Sequence, residues 1–334
     1  MRATVRDVAN RARVSPKTVS NVVNGTVPVS PETRQRVEQA IADLDYVPNF
    51  SARGLRNGRS GVIALALPVL DTAYSSELAH FVVQAAKARG LSVQIEETHG
   101  EAEGERRLLS RARAQLVDGL ILNPTRLATS AVQPEVQLPP VVLIGEVDQP
   151  IADHVWVDNI AASRELVELL LRHGHRRVAV LGRLDSESAR LRLIGYREAL
   201  NGAGLTEDPE LVIEAEWNAR GSASALSRWL ESHRPPEAIF CLTDSMAIGA
   251  LNTLWTVGLR VPDDVSVVGY DDISEAAYLV PPLTTVNFDK REFAETALGL
   301  LVDRMADPGA PTRSVTVPHR IVERASVCDR RPGD

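Results

Sequence analysis

The chain has 334 residues, enough for two or three compact units, and its 44% hydrophobic content with only 4% aromatic residues is that of an ordinary α/β protein, not a disordered or fibrous one. No run of about 18 apolar residues is present, and the opening MRATVRDVAN lacks the unbroken apolar stretch of a secretory leader, so the expectation is a cytoplasmic protein with no membrane partner. The net charge of −7 is unevenly shared: residues 1–60 carry ten Arg or Lys against five acids, a local +5 that leaves −12 for the rest, and a basic head on an acidic body points to a polyanion as the head's partner.

The head is punctuated as three short helices. Thr4 with Asp7 three residues later makes a capping-box-like start for a helix with Val5, Val8, Ala9 and Ala12 on its apolar stripe. Arg13-Val14 turns the chain. Ser15-Pro16 then supplies an N-cap hydroxyl and a proline at the first helical position for a second helix that buries Val19, Val22 and Val23. A third helix, opened by Ser30-Pro31, carries Val37, Ala40, Ile41 and Leu44. Two short helices joined by so tight a turn, with a third packed on them, predict an all-α helix-turn-helix over residues 1–48. Its second helix would enter the major groove by its first turn. Pro16, Lys17 and Asn21 are then placed to read base edges: Lys17 donating to guanine O6 and N7, Asn21 pairing with adenine, Pro16 touching a thymine methyl. Ser15, Thr18, Ser20 and Asn24 suit phosphates, helped by the helix N-terminus. Residues 49–60, NFSARGLRNGRS, are too short and polar to pack alone and read as a hinge. Gly54 weakens helix formation there by about 1 kcal/mol relative to Ala, which favours ordering only on DNA.

From Gly61 the chain alternates apolar runs with helical patterns. Val62–Leu67, Ser92–Glu96, Gly119–Leu122 and Val141–Ile144 read as buried parallel strands, with helices over Ser76–Arg89 and Glu105–Gln115 between them. A second series follows: strands at Val178–Leu181, Leu211–Ile213, Ala238–Leu242 and Val265–Val268, helices near Ile160–Arg172, Arg190–Asn201, Gly221–Glu231 and Ser245–Val257. The pattern predicts two doubly wound parallel-sheet lobes of α/β class, with a ligand in the cleft at the strand C-terminal ends. The tail beyond Arg330 is expected to fray. Cys241 lies in the Ala238–Leu242 strand, and it and Cys328 read as two reduced thiols.

Val5-Arg-Asp-Val-Ala9, Val14-Ser-Pro-Lys-Thr-Val-Ser-Asn-Val-Val-Asn24, Val29-Ser-Pro-Glu-Thr-Arg34 and Leu44-Asp-Tyr-Val-Pro-Asn49 resemble the headpiece of the LacI/GalR regulators. The likeness continues through Val117-Asp-Gly-Leu-Ile121, Gly174-His-Arg-Arg-Val178, Ala189-Arg-Leu-Arg-Leu193, Val261-Pro-Asp-Asp-Val-Ser-Val-Val-Gly-Tyr-Asp-Asp272 and Leu283-Thr-Thr285. This resemblance implies a homodimer on a palindromic operator and periplasmic-binding-protein-like lobes over residues 61–330, with residues 61–156 and 284–318 in the first and 157–283 and 319–330 in the second. The family's chain crosses between lobes three times, and here the last strand would be Arg320–Val327. The resemblance also implies a hinge that becomes helical on DNA, where Leu55 would wedge between central base pairs in the minor groove and Arg53 or Arg56 would follow that groove. Thr4, Ser30, Asn49 and Ala52 complete the expected DNA-contacting set.

Loops after the strands nominate the effector pocket: Tyr74 and Ser75, Asn123, Ser188 and Arg192, Trp217, Thr243, and Asp271. Arg192 offers a donor fork and Asp271 a double acceptor, which suits vicinal hydroxyls, and Trp217 offers a platform for a sugar face. All eight resemble pocket positions of the family, and the expected effector is a mono- or oligosaccharide. Thr243 stands where many sugar-responsive relatives have Asn, and Gly145-Glu146 where an acidic residue often follows the fourth strand directly. A purine effector is the alternative; relatives that bind one stack the base on neighbouring aromatics, whereas Tyr74 is followed by Ser75. Two further readings are a sugar-binding protein without DNA regulation and an enzyme on a doubly wound core. The chain has no Gly-x-Gly-x-x-Gly, Walker loop, Gly-x-Ser-x-Gly, Cys-x-x-Cys or His-Glu-x-x-His, so no catalysis and no cofactor are expected. His173-Gly-His175 is a weak metal candidate with only His154 near it in sequence, and no metal is expected either.

Overall fold

The computed structural model describes residues 3–24, 27–46, 59–114, 116–126, 131–132, 138–147, 149–182 and 184–331. The chain divides into two compact units, 1–60 and 61–334.

The first unit is built from α1 (Val5–Ala12), α2 (Pro16–Asn24) and α3 (Pro31–Asp43). Each start is fixed by the residue that sequence punctuation marks. Thr4 and Asp7 satisfy each other's backbone N–H in a reciprocal capping box. The Ser15 hydroxyl accepts from the Thr18 N–H at 3.1 Å, and Ser30 from Thr33 at 3.4 Å. Arg13, at φ 54°, ends α1 in the left-handed region while its N–H reaches back to Ala9 and Asn10. The core is a small cluster of Val8, Ala9, Ala12, Val19, Val22, Val37, Ala40 and Tyr46.

The second unit holds two six-stranded sheets. The first runs β11-β5-β4-β3-β1-β2, with β1 (Val62–Leu67), β2 (Ser92–Glu97), β3 (Gly119–Leu122), β4 (Val141–Ile144), β5 (Asp153–Trp156) and β11 (Ser314–Thr316), all parallel. The second runs β12-β10-β9-β8-β6-β7, with β6 (Val178–Gly182), β7 (Val212–Glu214), β8 (Ala238–Cys241), β9 (Ser266–Tyr270), β10 (Thr284–Phe288) and β12 (His319–Val322). Only β12 is antiparallel, to β10. The connecting helices are α4 (Ala73–Ala88), α5 (Ala102–Arg113), α6 (Asn159–Arg172), α7 (Glu187–Gly202), α8 (Ala219–Leu230), α9 (Asp244–Thr256) and α10 (Lys290–Ala306).

Three expectations are corrected, and one strand, β5, is added. The boundary at 284 is wrong: β10 pairs in parallel with β9 through Thr284, Thr285 and Val286, so it belongs to the second lobe, and the chain crosses at Asp289, which caps α10 by accepting from the Arg291 and Glu292 N–H groups. β5 escapes a hydrophobic reading because Asp153 and His154 open it. Both are buried there, Asp153 held by Arg304 at 2.9 and 3.1 Å and His154 by the Gly145 carbonyl at 2.7 Å. The last strand stops at Val322, not Val327, because the Ser326 side chain takes over as partner, donating to the Val267 carbonyl and accepting from the Thr284 N–H. Finally, α4 begins at Ala73, capped by Thr72, so Tyr74 and Ser75 lie in a helical first turn and not in a loop; Ser188 likewise lies on α7, which starts at Glu187 and carries Arg192 as the expected helix over Arg190–Asn201 does.

Candidate functional site

Helix α2 buries Val19 and Val22 against the headpiece core and turns Pro16 and Lys17 to solvent, with Asn21 half-exposed one turn beyond Lys17. Ser15 is exposed, with its hydroxyl 2.9 Å from that of Thr18, and Ser20 is half-buried. Thr4 and Ser30 are exposed caps of α1 and α3. The Asn24 side chain and all of Asn49, Ala52, Arg53, Leu55 and Arg56 lie outside the described residues.

In the second unit a cavity of about 280 Å³ opens between the lobes, and all eight nominated residues line it. The parallel topology explains the convergence. Strand C-termini face the cleft, and after β1, β6 and β8 the helix that follows brings its N-cap side chain, Thr72, Ser186 or Thr243, into the wall. Gly145 leaves β4 at φ 89°, and a Cβ there would sit 2.7 Å from Asn123 Oδ1, so this glycine makes room for the amide.

The polar centre is Arg192 and Asp271, 5% and 4% exposed. Arg192 is fixed on three sides: Nε donates to Asn159 Oδ1 at 2.7 Å, Nη1 donates to the Leu242 carbonyl, and the guanidinium lies 3.5 Å from the Tyr270 ring centroid. Its Nη2 stands 3.8 Å from Asp271 Oδ1. That is an ion pair but too long for a hydrogen bond, and among the described residues the Asp271 carboxylate accepts none. A buried carboxylate left so poorly paired is pushed up to about 7, burial outweighing the opposing pull of Arg192 and Lys290. The Tyr270 hydroxyl is likewise buried without a partner among the described residues. Trp217, Phe288 and Phe293 supply apolar wall, and Tyr74 meets Phe288 edge-on at 6.2 Å. The arrangement offers, among the described residues, an acceptor and a hydroxyl without hydrogen-bond partners beside aromatic faces.

Across the mouth, Arg126 of the first lobe donates from Nε to the Asp185 carbonyl at 3.1 Å and pairs with the Asp185 carboxylate, while the Glu187 N–H donates to the Thr125 carbonyl at 3.0 Å. Sequence reasoning missed Tyr270, Asn159, Arg126 and Asp185. Tyr270 was legible as the last strand residue before Asp271. The others act through tertiary partners that no local pattern marks. Among the described residues no cluster of His, Cys, Asp or Glu is set to hold a metal, and the ring nitrogens of His173 and His175 lie against the carbonyls of Leu169 and Leu170.

A helix-turn-helix unit joined to a two-lobed core with such a cleft defines a DNA-binding regulator with a small-molecule site. Residues 4–49 match the family described as bacterial regulatory proteins, lacI family, and residues 167–327 a periplasmic binding protein-like domain. The chain is 32% identical over 332 residues to the HTH-type transcriptional repressor PurR of Aliivibrio salmonicida (strain LFI1238), covering 97% of this chain and 99% of that one. It is 33% identical to PurR of Erwinia tasmaniensis over 337 residues, with 98% and 97% covered. Among solved structures, the lac repressor dimer bound to operator and the anti-inducer ONPF matches with a TM-score of 0.83 at 31% identity, over 98% of this chain and 100% of that one. The transcriptional regulator CelR in complex with cellobiose matches with a TM-score of 0.70 at 31% identity, over 97% and 100%. The chain belongs to the lacI family: it is a DNA-binding transcriptional repressor with an effector-binding core, and not an enzyme. No helix among the described residues is long and apolar enough to cross a membrane.

Proposed function

We propose that this repressor works in the cytoplasm as a homodimer on a palindromic operator, and that a sugar held between the core lobes switches its affinity for DNA. The observation that carries the sugar is the Arg192–Asp271 centre: a fixed donor edge and a carboxylate that among the described residues accepts no hydrogen bond, 3.8 Å apart and beside a Tyr270 hydroxyl without a hydrogen-bond partner among them, are what adjacent hydroxyls would bridge. Trp217 at the cleft wall suits the apolar face of a pyranose. The lac repressor and CelR structures, with ONPF and cellobiose, support the same reading by likeness.

A purine effector is the second reading, favoured by the PurR names of the relatives. Against it stands Ser75. Its hydroxyl accepts from Thr72 at 3.0 Å, so the residue after Tyr74 serves the α4 cap and offers no second ring for a base.

Lys17, Asn21 and Pro16 would read bases from the major groove, Ser15, Thr18, Ser20 and Asn24 would hold phosphates, and Leu55 would wedge the minor groove. Dimerisation follows from the two-fold symmetry of a palindrome. Trp255, Tyr278 and Val280, 79%, 85% and 94% exposed on the second lobe, supply apolar surface for a second copy. The ligand would act only through its different affinity for the DNA-competent and released states.

A thermal-shift screen of sugars, nucleosides and nucleobases, followed by calorimetry, tests the effector. A sugar should raise the melting temperature of the wild-type chain but not of Asp271→Asn. Tight binding of a nucleobase with no sugar binding at millimolar concentration would overturn the proposal in favour of the second reading.

A further inference from the structure

The loop that carries Asp271 is held from the opposite lobe. Asp271 and Asp272 have φ of 111° and 45°, a stretch of left-handed backbone that non-glycine residues keep only when their surroundings hold them there. Two side chains of the first lobe do so. Lys290, only 7% exposed at the start of α10, donates from Nζ to the carbonyls of Asp271 at 2.5 Å and Asp272 at 2.9 Å. The same ammonium pairs with Glu77 Oε2 at 3.1 Å. Glu77 Oε1 then accepts from the Ser274 N–H at 2.6 Å, closing a ring of bonds around residues 271–274. Behind the loop, Asp244 Oδ2 accepts from the Ile273 N–H at 3.0 Å. Glu77 lies one turn along α4 from Tyr74 and Ser75, which line the cleft. A bare apolar packing function would not need a buried ammonium, because desolvating a charge is costly unless every partner is in place.

We propose that Lys290 and Glu77 are positioning residues of the effector cleft: a clamp from the first lobe that aims the Asp271 carboxylate and ties it to helix α4. The assignment rests on the reading that Asp271 receives the effector. Through the clamp, whatever moves Asp271 also pulls on α4, so the effector's strongest polar contact is wired to both lobes and not to one.

The clamp also shapes the electrostatics of the site. Asp271 is faced by Arg192 from α7 and Lys290 from α10, by Glu77 from α4, Glu146 after β4, Asp244 from α9 and Asp272 beside it, and by the hydroxyls of Tyr74 and Tyr270. Lys290 draws the carboxyl down and Glu77 drives it up. Neutralising the two members of one clamp should therefore move Asp271 in opposite directions.

The test is a carbon-13 titration of aspartate carboxyl groups in the full-length chain without any effector, with Asp271→Asn identifying the resonance. The midpoint should rise in Lys290→Met, fall in Glu77→Gln and return toward the wild type in Lys290→Arg, which restores the cation. In Glu77→Ala the Ser274 amide should exchange about tenfold faster or more, having lost its acceptor. A merely structural role would lower thermal stability without opposite shifts. Midpoints that stay put or move together, or an unchanged Ser274 amide, would overturn the proposal; if Lys290→Met does not fold, the two Glu77 variants decide it alone. Because no ligand is added, a failure of the sugar reading would show in the thermal-shift screen and leave this titration standing.

Discussion

The headpiece and the core spend their polar groups in opposite ways. In the headpiece the caps Thr4, Ser15 and Ser30 are exposed and locally satisfied, and Pro16 and Lys17 are turned to solvent. In the core the cleft groups are buried and, among the described residues, underpaired: the Asp271 carboxylate accepts no hydrogen bond, the Tyr270 hydroxyl has no hydrogen-bond partner, and a left-handed loop is held by a buried lysine. The contrast follows from the ligands. DNA is a large polyanion met at a surface, where charge and reach suffice. The proposed effector is small and would have to be surrounded, so the groups that bind it would have to stand buried in advance.

The comparison can be broken at its largest effect first. Arg192→Ala should destabilise the core by about 3–5 kcal/mol in urea unfolding, because it strips Asp271 of its nearest cation and leaves the Leu242 carbonyl and Asn159 amide without their donor. A loss below about 1 kcal/mol would mean that water already substitutes for the guanidinium. Asp271→Asn should cost the sugar at least about 1–3 kcal/mol of binding energy while operator affinity stays at the wild-type level. On the headpiece side, Lys17→Ala or Asn21→Ala should weaken operator binding by about 1–3 kcal/mol and relax the preference at one base position per half-site, with core melting unchanged. Equal losses on operator and random DNA would reduce these residues to phosphate contacts. Thr4→Ala should cost the headpiece about 1 kcal/mol by removing the capping box, read as a lower headpiece melting temperature.

Acidity separates the two units again. Asp271 titrates at about 7 in the folded core, against a normal carboxyl value in the unfolded chain, so between about 4 and 7 the folded state holds a proton that the unfolded state has lost. Its contribution is fully present below the unfolded value and is lost as pH rises through 7; core stability should decline across that window in the wild type and less in Asp271→Asn. Hydroxyls donating to the carboxylate favour its ionised form, so sugar affinity should fall as pH drops below about 7 and binding should release protons there. A pH-independent affinity between 6 and 8 would show that the carboxyl is already ionised when free.

How much of this could be read from residues alone differs between the units for the same reason. The headpiece is built from local signals, in which a cap, a proline and an apolar stripe each act within four residues, and its helix starts are therefore legible. The buried strands of the core are legible as apolar runs, and a residue following such a run points to the cleft, which is how Asn123, Thr243 and Asp271 could be nominated. β5 was not legible because its Asp153-His154 pair looks like surface and is made buriable by tertiary partners, Arg304 and Arg313 for Asp153, both more than a hundred residues away, and the Gly145 carbonyl for His154. The lobe boundary failed for a related reason: Thr284–Phe288 pairs with β9, and nothing within the segment says which sheet will claim it. Lys290 and Glu77 carry no local mark at all, since their meaning exists only where two lobes meet.

The most direct test of the account is operator affinity, followed by anisotropy on a palindrome selected from random sequence, with and without the sugar that gives the largest thermal shift. The wild type should change its operator affinity on adding the sugar, while Asp271→Asn should bind the operator as tightly as the wild type and show no change. A variant that responds to the sugar as the wild type does, or that loses the operator itself, would contradict a headpiece that reads DNA and a cleft that listens through Asp271.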